Sequence, residues 1–160
     1  MTNQYLLARD TVAGMEGTAV MTDSSGKNRV LFQLTKIKTV ADIQSTEMKV
    51  VGTRVIQDKA AGAKQTGTAT LYYGSPYFTQ MVLEYLHTGV MPYFDIQIIN
   101  NDPTNTIGQQ VMAYYGCKIT SEIPLSILDA DTQMLTLDIS FTYTDVQMLQ
   151  SFTDPVRLGS

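Results

Sequence analysis

Tryptophan is absent, and histidine and cysteine occur once each. No apolar run approaches the roughly 20 residues that a membrane-spanning helix needs. A single cysteine, Cys117, rules out an intrachain disulfide and suits a reducing compartment. It falls in a strand-like run, where a small core residue is expected rather than a nucleophile. His87 has no nucleophile at a motif spacing and no companion metal ligands. It falls in the last turn of an expected helix, where a cation suits the dipole. Gly62-Ala63-Lys64-Gln65 lacks the Gly-Lys-Ser/Thr core of a phosphate-binding loop. Asp129 and Asp131 do not match an EF-hand loop, and no two carboxylates are singled out as a glycosidase pair. The sequence therefore points to no catalytic residue, no metal ligand set and no cofactor, and it reads as a non-enzyme. The apolar residues 5–8, followed by Arg9 and Asp10, are too short for a signal-peptide core.

Charge is sparse too. Charged residues make up 16% of the chain, below the usual ~25%. The net charge of −4 disfavours non-specific binding to nucleic acid or to anionic membranes. The distribution is uneven: residues 1–66 hold nine Lys/Arg and six Asp/Glu, residues 67–160 two and nine. Either the two halves project to opposite surfaces and copies attract head to tail, a contact that builds rings or filaments, or the halves interleave and the charges mix. The 160 residues fit one domain without an internal repeat.

What is present is alternation. Residues 66–89 organise the rest. Thr66, Thr68, Thr70 and Tyr72 share one face of a strand. A helix over about 75–88 follows, with Ser75 as N-cap, Pro76 at the first helical position and Gly89 as a left-handed C-cap. Phe78, Met81, Val82, Tyr85 and Leu86 form its apolar stripe. Earlier, residues 18–22 read as a strand, 23–28 as a turn, and 29–51 as an extended run, either bent or split. Residues 52–65 lack periodicity and read as a loop carrying Arg54, Lys59 and Lys64, a contact element folding against a partner. After the helix, strands are expected over 92–100, 109–120 and 133–144. In the second, Val111, Ala113, Tyr115, Cys117 and Ile119 are in phase. In the third, Leu135, Leu137, Ile139, Phe141 and Tyr143 face a core, while Thr136, Asp138, Ser140, Thr142 and Thr144 face water. The sum is a mainly β protein, an antiparallel sandwich or barrel with one helix. Arms are expected at about 1–13 and 145–160, and a protruding loop at about 46–65.

The run Gly14-Met15-Glu16-Gly17, the Gly52-Thr53-Arg54 step, the Gly67-Thr68-Ala69-Thr70 strand, the helix ending at Gly89 and the Pro92-Tyr93-Phe94 entry follow in a particular order. In that order and spacing the chain resembles the tail tube proteins of contractile-tailed phages, of the PBSX-like prophage type, and of related contractile bacteriocins. It departs from them at Gln65-Thr66 and in a longer loop around 102–106, which touches loop contacts. The resemblance implies hexameric rings stacked into a hollow tube in the virion tail, assembled in the bacterial host cytoplasm. It implies copies of the chain itself, a sheath protein, baseplate or tube-initiator proteins and a tail terminator as partners. DNA would be non-specific cargo in an acidic or neutral lumen, and no membrane insertion is expected. Thr53, Arg54, Gln57, Lys59 and Lys64 become expected inter-subunit contacts. Thr66, Thr68, Thr70, Thr136, Asp138, Ser140 and Thr142 become an expected lumen face. Two alternatives are an inner tube of the type VI secretion kind and a small β-sandwich binding module or hydrolase; the latter would need a concave pocket with convergent polar groups.

Overall fold

The computed structural model of the chain describes residues 7–31, 34–74, 76–131 and 134–153. Eight strands and one α-helix make up its regular structure: β1 (Gly17–Thr22), β2 (Asn28–Val30), β3 (Leu34–Met48), β4 (Gln57–Tyr72), α1 (Tyr77–Thr88), β5 (Phe94–Asn101), β6 (Gln109–Ile119), β7 (Thr136–Thr142) and β8 (Asp145–Gln150). All pairings are antiparallel, in the order β2-β1-β5-β6-β7-β4-β3, with β8 also on β6. β6 is the fulcrum. One edge pairs with β5, while the other pairs first with β8 through Val111 to Tyr115 and then with β7 through Lys118 and Ile119. The sheet thus folds over one core, in which Met21, Phe94 and Ile96 meet Ala69, Leu71, Leu137, Ile139 and Phe141. The order ends at β2 and β3, which do not pair with each other, so the barrel is left open along a seam.

Alternation dictates the inward faces. Leu137, Ile139, Phe141 and Tyr143 are all buried, as their spacing requires. Gly67 lies against the Phe141 ring, which fills the place a side chain would take. In β6 the alternation slips. Tyr114 is buried and Tyr115 is not, because the register with β5 shifts between Phe94/Cys117 and Ile96/Tyr114. Gly116, at φ 66°, absorbs that bulge, and its N–H donates to Asp95 Oδ1 at 3.1 Å. The expected phase of Tyr115 with Cys117 fails for this reason.

Three further expectations change. Residues 57–65 are not loop: they are the outer half of β4, paired with β3 from Ala41/Gln65 out to Met48/Gln57. Their small residues (Ala60, Ala61, Gly62, Ala63) hide the period that larger side chains would show. Residues 145–150 are β8 rather than tail. The helix is shallower than its stripe suggests. Phe78 and Met81 are buried, whereas Tyr85 is exposed and Leu86 is 62% exposed. Pro76 is the N-cap itself, one place earlier than expected, and Gly89 closes the helix at φ 77°. Ser75, the expected N-cap, lies outside the described residues, as do 1–6 of the N-terminal arm and 154–160 of the tail. The described part of the arm docks on its own chain. Thr106 donates its N–H to Arg9 O at 2.9 Å and its hydroxyl to Asp10, while Ala13 N–H donates to Asp102 Oδ2 at 2.9 Å.

Candidate functional site

Two surfaces stand out, and both grow from β3 and β4. The first is a polar wall. On β4 the residues facing away from the core are Thr66, Thr68, Thr70 and Tyr72, whose direct partners on β7 are Thr142, Ser140, Asp138 and Thr136. All seven polar residues expected on one face therefore lie side by side. Thr70 ties the grid together by donating its hydroxyl to Asp138 Oδ1 at 2.8 Å. Register extends the rows: Lys36–Thr70–Asp138, Lys38–Thr68–Ser140, and Val40–Thr66–Thr142–Lys118. Neighbouring strands are about 4.8 Å apart, so this is a close-set field of small hydroxyls bordered by ammonium groups.

The wall is not acidic. Farther out, Lys64 pairs with Asp42 and Lys59 with Thr46 on the same face. Lys36, Lys38, Lys59, Lys64 and Lys118 thus outnumber Asp42 and Asp138. An acidic or neutral surface does not describe this face. Nor do the two charge halves of the chain segregate: acidic β5 to β7 are flanked in the sheet by the N-terminal strands.

The second surface is the β3–β4 hairpin. Near its base two hydrogen bonds pin it to the body. Thr39 Oγ1 donates to Tyr114 Oη at 2.6 Å, and Tyr143 Oη donates to Val40 O at 2.8 Å. The two tyrosine rings meet edge to face with centroids 4.9 Å apart. β7 pairs with β4 only from Thr66 onward, so residues beyond it have no other strand beside them. At about 3.3 Å per residue the free part extends roughly 25 Å. An isolated two-stranded hairpin is marginal in water.

The hairpin's two faces differ. One continues the wall with Asp42, Gln44, Thr46, Lys59 and Lys64. The other continues the core-facing phase with Ala41, Ile43, Ser45, Ala60 and Ala63, and ends in a directly opposed acidic pair, Glu47 and Asp58. At the tip Val50, Val51, Val55 and Ile56 are exposed, along with Thr53 and Arg54. The five expected contact residues are therefore split. Thr53 and Arg54 sit in the turn, while Gln57, Lys59 and Lys64 spread along β4, with a bulge at Ala61 between the two lysines. The apolar tip and the apolar face escape a sequence search for charged contacts; the cluster of Val50, Val51, Val55 and Ile56 is the signal that would have found them.

Between β3 and the inner side of β1, β5 and β6 the open seam forms a groove of about 500 Å³. Ala19, Leu31, Leu34, Ile37, Ile98 and Met112 give it an apolar floor, and Lys36 is the one charged residue among those lining it. Among the described residues no cluster of three or more His, Cys, Asp or Glu could hold a metal. Cys117 is fully buried, and burial, helped by the Asp95 carboxylate, pushes its thiol up to about 12. It is a core residue and not a reactive thiol.

Comparison with known proteins agrees with this geometry. The family model described as phage tail tube protein matches residues 4–150. The Bacillus subtilis (strain 168) phage-like element PBSX protein XkdM is 27% identical over 149 residues, 93% of this chain and 97% of its own. Two solved structures share the fold: the tube-terminating cap of the anti-feeding prophage (11% identity, TM-score 0.67, 92% of this chain and 96% of that one) and the SPP1 tail tube (10% identity, TM-score 0.61, 86% and 78%).

Proposed function

The chain belongs to the phage tail tube protein family, and from that premise we propose that six copies close into a ring and that rings stack into the hollow inner tube of a contractile tail or tail-like particle. The observation that carries this reading is the unfinished sheet. β3 is 15 residues long and pairs on one side only, and the hairpin it shares with β4 stands clear of the body. A long open edge invites pairing with another chain. Pairing among copies completes it, and a ring leaves no edge behind. The Thr-rich wall, on the face opposite the core, then lines the bore.

In this arrangement the subunit is a structural part with no reaction to catalyse. Its partners are other copies of itself, a sheath outside, an initiator or baseplate protein at one end and a terminator at the other. Likeness in fold to a tube-terminating cap supports the last of these. DNA, where the particle carries it, passes as non-specific cargo, and assembly takes place in the bacterial cytoplasm.

Negative-stain images of concentrated protein test the proposal. Annular particles and striated tubes that lengthen with concentration are expected. Monodisperse single subunits at high concentration, in both low and high salt, would overturn it.

A further inference from the structure

The groove at the open seam and the bare tip of the hairpin match each other within one sequence. Residues 49–56 expose Val50, Val51, Val55 and Ile56 together. A cluster of that kind, at the end of an arm with no support of its own, costs solubility unless something covers it. The groove offers an apolar floor of similar character: Ala19, Leu31, Leu34, Ile37, Ile98 and Met112. Charge agrees with shape. Glu47 and Asp58 face each other directly across the hairpin, a like-charge pairing that is unfavourable by itself. The groove's single charged lining residue is the cation Lys36.

The arm cannot serve its own groove. Its base is fixed beside the groove at Thr39 and Val40, and β3 runs straight away from there, so the tip lies roughly 30 Å off at about 3.3 Å per residue. The occupant has to come from a second copy.

We propose that the hairpin tip of one subunit docks in the β1–β3 seam of a neighbouring copy. Val51, Val55 and Ile56 lie on the groove floor, and Glu47 and Asp58 are brought to the neighbour's Lys36. The proposal rests on the tube reading but adds the receptor, and it makes apolar burial rather than the basic side chains the main driving force. Each copy is then donor and acceptor at once through two different surfaces. Such a contact is heterologous and propagates.

A double variant, Val51→Asp with Val55→Asp, tests the tip. Both positions are exposed, so the isolated subunit should keep its circular dichroism and melting temperature. The concentration needed for assembly should rise at least tenfold. A second test locates the receptor. Val51→Cys and Val30→Cys in one chain, treated with a short bis-maleimide after assembly, should give a ladder of covalent oligomers. Either single variant should give none, since Cys117 is fully buried. Pairing Val51→Cys with Leu128→Cys, an exposed position that does not line the groove, should not ladder.

If the Asp variant forms tubes at the wild-type concentration, the docking proposal is wrong and the tube reading stands. If the Asp variant blocks assembly but Val51→Cys with Val30→Cys fails to ladder in wild-type-like tubes, the groove is not the receptor and the proposal is likewise overturned. If the unaltered chain forms no tube in any condition, the failure belongs to the tube reading itself.

Discussion

At the scale of single residues, the core is set by a few contacts without slack. Phe141 is fully buried, and its ring occupies the space above Gly67, where an added Cβ would collide with it. Gly67→Ala should therefore destabilise the fold by about 1–3 kcal/mol through overpacking, measured as a loss of unfolding free energy in urea. An unchanged midpoint would show that the ring can shift. Ile139 is buried in the same layer, and Ile139→Asp places an unpaired charge there; the soluble folded fraction should vanish. Asp102, 5% exposed, gives a pH signature. It accepts from the Thr104 hydroxyl and from the N–H groups of Ala13 and Thr104, which hold its carboxyl below the ordinary 3.8. With the folded value depressed, its contribution is complete above the unfolded value and fades as pH falls through the folded one. Amide exchange at Ala13 should therefore be slow near neutral pH and speed up below about pH 4. An equally protected amide at low pH would show that the N-terminal segment is held by something else.

At the scale of elements, how much was legible depended on side-chain size. β7 reads directly from the alternation of Leu137, Ile139 and Phe141 with Thr136, Asp138, Ser140 and Thr142, and the grid of hydroxyls on the wall follows from that phase. The outer part of β4 does not, because Ala and Gly occupy the positions where a period would show. A strand held by a long partner needs no apolar residue of its own to declare it. The helix failed in the other direction: its stripe is real, yet Tyr85 and Leu86 lie beyond the reach of the core. The slip at Gly116 depends on a register between β5 and β6, which no local pattern encodes. The basic residues of the hairpin lie on the wall face, apart from its apolar side. Lys59→Glu with Lys64→Glu should leave the subunit folded and shorten tubes at low salt, an effect that weakens as salt rises. Unchanged tube length at every ionic strength would show that these two charges are outside any contact.

At the scale of the whole molecule, the chain behaves as part of a sheet that continues elsewhere. The core closes around β1, β5, β6, β7 and the inner half of β4, but β3 offers a long free edge and the hairpin has an apolar side with nothing of its own chain to rest on. Those features are costly in a solitary globule and useful in a stacked tube. Membership of the tail tube family was legible from the order of glycine-bearing segments and one helix, since spacing survives where identity with the Bacillus subtilis relative has dropped to 27%. The most direct measurement is amide hydrogen exchange over residues 41–65, compared between dilute subunit and assembled tube. The hairpin amides should exchange quickly in the dilute subunit and become strongly protected on assembly, together with the outer edge of β3. Protection already complete in the dilute subunit, or no change on assembly, would contradict the claim that these strands find their missing partners in other copies.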